Sequence, residues 1–348
     1  MSFQSVWFLL IAVLWVGYFI LEGFDFGVGM LLSSVSRNEA DRRAVLTTLG
    51  PVWDGNEVWL LVAGGATFAA FPEWYATLFS GFYLPLFLIL VALIVRGLSF
   101  EYRSKYGKPA WRKRWDIAIF VGSALPALLW GVAFANIVRG VPLEKASSGS
   151  IEYVGGFFNL LNPYALLGGV VTLTVFLTHG AHFLALKTAG EIRVRAHALA
   201  IRLGLIAAVA AVAFLVWSNV MLPSINMKFL VLSILTALLW VGGLLANFKG
   251  REGWAFIASS VAIATFVSGL FVALYPRVMP SSRGAQFDLT IFNASSTNYT
   301  LKVMTVVAVV MTPIVLLYQG WTYWVFRKRV SASQISHPEV GVLDTLHQ

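Results

Sequence analysis

Two carboxylates sit inside an apolar stretch long enough to cross a bilayer. The segment Ile20–Met30 reads Ile-Leu-Glu-Gly-Phe-Asp-Phe-Gly-Val-Gly-Met, within a run that extends from Val6 to Leu32. Glu22 and Asp25 are three residues apart, which puts both on one face of a helix. A carboxylate in hydrocarbon costs roughly 2.5–3.5 kcal/mol on insertion scales, so an acid there points to an ion or proton pathway. The chemistry open to such a pair is proton relay, since burial and neighbouring charge tune when a carboxyl takes up or releases its proton. The alternative is that both acids lie at a membrane interface near a helix end. A second pair, Asp54 and Glu57, has the same spacing in Pro51-Val-Trp-Asp-Gly-Asn-Glu-Val-Trp59. Pro51 suits a first helical turn, and acids there also complement the helix dipole, which is the purely structural reading of this pair. If two adjacent spans pack as a hairpin, Asp54 approaches Glu22 and Asp25.

Two histidines, His179 and His182, suggest haem ligation, but a bis-His haem takes ligands from two facing helices. These two share one helical face, and His197 is expected in a loop. They read as polar residues hydrogen-bonded inside the bundle or near its cytoplasmic end. Gly23 and Gly27 form a Gly-x-x-x-Gly step beside the acids, a pattern that lets a neighbouring helix approach closely.

These residues need helices to position them, and composition says which kind. Of 348 residues, 58% are hydrophobic and 12% charged. A soluble domain would be nearer half apolar and a quarter charged, so this is an all-α polytopic membrane protein. Aromatic belts and lipid contact suit its 13 Trp and 26 Phe. The net charge of +9 resides in short loops between apolar runs. Anionic headgroups and topology explain that charge, and nucleic acid does not. There are no cysteines, which excludes disulfides, iron–sulfur ligation and thiolate metal sites within this chain. The first apolar run lacks a basic n-region and a small-residue cleavage site, so it reads as retained.

About nine spans are expected, with approximate cores Val6–Leu32, Val52–Phe71, Thr77–Ser99, Ile117–Val138, Pro163–Leu186, Leu203–Leu222, Phe229–Ala246, Ala255–Leu274 and Val303–Phe326. Alternate loops are basic, for example Arg37–Arg43, Arg103–Arg114, Lys187–Arg202, Lys249–Arg251 and Arg327–Arg329. The loops between them are poorer in base, so the positive-inside rule puts the N-terminus outside and the C-terminus in the cytoplasm. A weak repeat relates Glu22-Gly-Phe-Asp25 to His179-Gly-Ala-His182, each followed by a basic loop. The reading is two pseudo-repeated four-helix units, 1–138 and 139–274, then an outer loop 275–302, a ninth helix 303–330 and a cytoplasmic tail 331–348. The outer loop matches glycosylation sequons at Asn293 and Asn298. The polar tail after Val330 is expected to be mobile.

Several stretches together resemble subunit II of cytochrome bd-type quinol oxidases. They are Glu-Gly-Phe-Asp-Phe-Gly-Val-Gly-Met at 22–30, Pro-Val-Trp-Asp-Gly-Asn-Glu-Val-Trp-Leu at 51–60 and Phe-Ser-Gly-Phe-Tyr at 79–83. Tyr-Arg-Ser-Lys at 102–105, Leu-Asn-Pro-Tyr at 161–164 and Tyr-Pro-Arg-Val-Met-Pro-Ser-Ser at 275–282 complete the set. The resemblance implies nine spans and a complex that reduces dioxygen to water with electrons from a membrane quinol. It implies that two b-type haems and one d-type haem belong to the partner, subunit I, and that this chain binds no cofactor or metal. The loop between spans six and seven, long in some members, is short here at Pro223–Lys228. Carried over by motif, Asp54, Asp25 and Glu22 are expected to line a cytoplasm-facing proton path, supported by Trp53 and Asn56, with Glu57 beside them. Other expected partners are membrane lipids and quinone, with room for a small single-helix accessory subunit. The setting implied is a bacterial or archaeal plasma membrane. A proton-coupled secondary transporter and a purely structural scaffold remain open, since duplicated bundles with intramembrane acids occur in both.

Overall fold

Apolar runs of this length can satisfy their backbone in a bilayer only as helices. In the computed structural model, residues 2–221, 227–336 and 338–344 are described. The expected loop Pro223–Lys228 has residues 223–226 outside that set, as is Leu222 at the end of the sixth span. The first helix, α1, spans Phe3–Val35, its Ser2 cap accepting from the Ser5 N–H. A short amphipathic helix, α2 (Glu39–Leu49), follows the Asn38 cap. The remaining helices are α3 (Trp53–Ala70), α4 (Pro72–Gly81), α5 (Tyr83–Tyr102), α6 (Pro109–Arg139), α7 (Pro163–Lys187), α8 (Glu191–Met221), α9 (Met227–Phe248), α10 (Glu252–Leu274) and α11 (Asn298–Val325). Two short antiparallel hairpins fold the loops, β1 (Leu143–Lys145) with β2 (Ile151–Tyr153) and β3 (Arg277–Met279) with β4 (Leu289–Thr290).

Among the described residues, eight helices are long and apolar enough to cross a membrane: α1 and α5 to α11. The expected second span, α3, has 18 residues and carries Asp54, Asn56 and Glu57 in its first turns. Those polar residues lower its hydropathy, so nine is an approximate count. The expected third span is broken: α4 ends at Gly81 and α5 begins at Tyr83. Pro85 explains the break, because it has no N–H to continue the α4 ladder and fits only a first turn.

The bundle is built around α1. Every residue from Glu22 to Leu32 is buried, so this part of the helix is covered all round. Its neighbours are α3, α6, α7 and α10. The glycine step lies in a tight contact with α7 of the same chain. A Cβ added at Gly27 would stand 2.8 Å from the Gly180 Cα, and one at Gly23 would stand 2.8 Å from the Phe176 ring. Trp15, Tyr18, Phe19, Trp130 and Phe134 pack edge to face between α1 and α6. By contrast, Leu301 is the one buried residue that α11 contributes.

The basic ends of the helices are tied by ion pairs. Arg103 chelates Glu39 at 2.8 and 2.9 Å and reaches Asp116 at 2.5 Å. Arg195 joins Asp41 at 2.7 Å. The tail, expected to be mobile, is held here instead. Val330 N–H donates to the Lys187 carbonyl at 2.8 Å. Arg112 donates to the carbonyls of Pro338 and Glu339, and Arg43 to that of Val340. The physical reason is that arginines crowded at this end have more donors than carboxylates to receive them, and tail carbonyls supply acceptors.

Candidate functional site

Helix α1 carries Glu22 and Asp25 into the centre of the bundle, where neither has any exposed surface. Helix α5 faces them with Arg96, also fully buried. Its guanidinium hydrogen-bonds to Glu22 and stands 3.7 Å from the Glu57 carboxylate of α3. The rings of Phe26 and Phe100 lie 4.9 and 5.2 Å from the same guanidinium, so its flat faces are covered by π surface. Asn56, on α3 and also buried, donates from Nδ2 to Asp25 Oδ2 at 2.7 Å. Its Oδ1 accepts from Tyr323 Oη at 2.8 Å and from Gln319 Nε2 at 3.3 Å, both on α11.

One guanidinium thus faces three carboxyls, from Glu22, Asp25 and Glu57. It can neutralise one of them. Glu22 Oε2, Asp25 Oδ1 and Glu57 Oε2 are buried with no hydrogen-bond partner. Such oxygens are suited to accept and release protons, because a proton on any of them relieves an uncompensated buried charge.

The expected approach of Asp54 to α1 is made by its neighbours instead. Asp54 is exposed on the first turn of α3, while Asn56 and Glu57 turn inward. Trp53 packs against Phe100, with ring centroids 5.2 Å apart. Arg96, Gln319 and Tyr323 were not among the site residues expected from the sequence. Arg96 had a signal, a lone charge in the apolar run Leu84–Leu98, which the rule applied to Glu22 also covers. Gln319 and Tyr323 had none, being 263 and 267 residues from the side chain they contact. His179 and His182 are buried, and both reach Ser259 of α10, at 2.8 and 3.3 Å from their Nδ1 atoms. The other His179 nitrogen lies 3.2 Å from the Ile20 carbonyl, and its ring stacks on Phe256. Among the described residues, no group of three or more His, Asp or Glu is arranged to hold a metal ion.

The family model for cytochrome bd terminal oxidase subunit II matches residues 3–326. The chain belongs to this family. It is 41% identical over 333 residues to cytochrome bd ubiquinol oxidase subunit 2 of Bacillus subtilis (strain 168), covering 95% of this chain and 97% of that one. It is 37% identical over 374 residues to cytochrome bd-I ubiquinol oxidase subunit 2 of Escherichia coli (strain K12), covering 95% and 96%. A solved bd oxidase from Geobacillus thermodenitrificans superposes with a TM-score of 0.75 at 19% identity, over 94% of this chain and 100% of that one. At that identity the likeness establishes the fold. Two of the stretches that carry the family resemblance, 22–30 and 51–60, supply Glu22, Asp25, Asn56 and Glu57 to the cluster.

Proposed function

We propose that this subunit supplies a proton path from the cytoplasm to the oxygen-reducing site of a haem-bearing subunit I, and holds that partner in place without binding haem itself. As a member of its family it is a subunit of a quinol:oxygen oxidoreductase, and it is a multi-pass protein of the bacterial plasma membrane. The observation that carries the proposal is the cluster of buried Glu22 and Asp25 with part-buried Glu57 around Arg96, and exposed Asp54 one turn away on α3. Reduction of dioxygen consumes protons, and a run from an exposed acid to buried ones is the order an entrance and relay require. The N-terminus lies outside and the C-terminus in the cytoplasm in this proposal, since the basic loops flank the end at which α3 begins. The chain then divides into two four-helix units, 1–138 and 139–274, with α11 as the extra helix. The b and d haems belong to subunit I, quinol is the substrate of the complex, and lipid, quinone and a small single-helix accessory subunit complete its surroundings.

Relay requires a group that titrates, and Asn has nearly the shape of Asp without that property. Asp25→Asn and Asp54→Asn are therefore expected to assemble with their full haem content. Their oxygen consumption with excess quinol should fall about tenfold or more, the scale of losing a positioned proton-transfer group. Asp25→Glu should retain more activity than Asp25→Asn. Turnover near that of the parent in both Asn variants would remove the proton path and leave these acids as packing residues of a scaffold.

A further inference from the structure

Trp59 has a hydrogen-bond donor and no acceptor, and that fixes the polarity of a chain of contacts ending at Asp25. The indole N–H donates to Gln319 Oε1 at 2.9 Å. The Gln319 amide nitrogen is thereby the end turned towards Asn56, and it donates to Oδ1 at 3.3 Å. Tyr323 donates to the same oxygen at 2.8 Å. With two donors on Oδ1, the Asn56 nitrogen faces Asp25 and donates to Oδ2 at 2.7 Å. Flipping the Asn56 amide would set NH2 against NH2 at Gln319 and a carbonyl against the Asp25 carboxylate, losing both of those bonds, while the Tyr323 hydroxyl could accept from either orientation's partner and so does not choose between them. Asp25 Oδ2 is therefore an acceptor whatever the charge on the group. That leaves Oδ1, buried and without another partner, to carry the proton.

We infer that Gln319 and Tyr323 of α11 are positioning residues for Asp25: acting through Asn56, they determine which carboxyl oxygen exchanges the proton. The inference rests on the proton-path reading above and deepens it. The two residues come from a helix that contributes a single buried residue, Leu301, to the bundle, so these polar bonds tie its inner half to the cluster. The charged and titratable groups around Asp25 are Arg96 of α5, Glu57 of α3, Glu22 of its own helix and Tyr323 of α11. None of them donates a hydrogen bond to Asp25, so among the described residues Asn56 makes the one side-chain hydrogen bond to its carboxyl.

The test uses the assembled oxidase, with haem content checked first. Tyr323→Phe combined with Gln319→Leu removes both donors to Asn56 Oδ1. Oxygen consumption should fall about fivefold or more, and the pH profile of turnover should be displaced from that of the parent. In an Asn56→Ala background the same pair should add no further loss, because they act through that amide. The carboxyl band of Asp25 in infrared difference spectra, assigned by its absence in Asp25→Asn, should shift in the double variant. If the double variant does not assemble, Tyr323→Phe alone removes one oxygen, keeps the ring, and is read by the same measurements. Parental turnover, pH profile and infrared band, with Asp25→Asn inactive, would overturn the positioning role and leave the proton path standing. Parental turnover in Asp25→Asn itself would overturn the path beneath it.

Discussion

Glu39 shows how a single carboxylate can set a stability limit at the basic end of the bundle. Burial pushes its carboxyl up, yet hydrogen bonds and charge from Arg103, with Arg112 and Arg43 behind, carry it the other way. The outcome lies below the ordinary value of 4.5. A depressed carboxyl stabilises the fold at pH values above its unfolded value, and that contribution is lost as pH falls through the folded one. The thermal midpoint of the purified complex should thus decline from about pH 5 to about pH 3 more steeply in the parent than in Glu39→Gln. At neutral pH the variant should be less stable by about 1 kcal/mol, since Glu39 is only part buried and Arg103 keeps Asp116 as its counter-charge. Parallel pH profiles would show that Glu39 is not the group that matters. Arg96 belongs to the same scale: an arginine in an apolar run is visible in the chain, but its choice of Glu22 over other acids depends on how α1 and α5 face each other.

Between elements, a close backbone approach lies where α1 crosses α7. Gly27 and Gly180 meet backbone to backbone, and a Cβ built at Gly180 would stand 2.6 Å from the Gly27 Cα. No rotamer can relieve a clash between a Cβ and backbone, so the helices must separate. Gly27→Ala should lower stability by about 1–3 kcal/mol, and Gly27→Leu should reduce the yield of intact complex. Both are read from thermal unfolding and from yield after purification; full yield of Gly27→Leu at the parental midpoint would show that the contact can open without loss. The same crossing carries Phe24, Asp25 and Phe26 on α1, so a displaced α1 is also expected to disturb the acid cluster. Gly131 of α6 and Gly168 of α7 form a second close crossing, with a Cβ at Gly168 standing 2.8 Å from the Gly131 carbonyl oxygen.

Across the whole molecule, apolar side chains remain exposed on α5, α8, α9 and α11. Leu317, Tyr318 and Trp324 are examples on α11. In water such faces would drive aggregation; in a bilayer they meet acyl chains or another subunit. Orientation in that bilayer is testable because the chain has no cysteine. Lys108→Cys should react with an impermeant thiol reagent only from the cytoplasmic side, and Ser282→Cys only from the outer side, each in the assembled oxidase in intact cells or inverted vesicles. Labelling of Lys108→Cys from outside would reverse the topology and, with it, the direction of the proposed proton path.

Hydropathy and charge in the chain by themselves determined the all-α membrane class, the approximate spans and the buried acids, because a bilayer imposes length and apolarity on each segment independently of its neighbours. They also marked Gly23 and Gly27, since close helix approach selects small residues locally. The tertiary structure alone decided the partners. Asp54 stays exposed while Asn56 and Glu57 turn inward, because one turn of α3 has two faces and only the packing against α1 chooses between them. The tail is tethered because Arg43 and Arg112 converge there from different helices. Gln319 and Tyr323 reach Asn56 from a helix far along the chain. Contacts over such separations leave no local pattern, since each depends on the relative rotation of two helices that either segment alone does not specify.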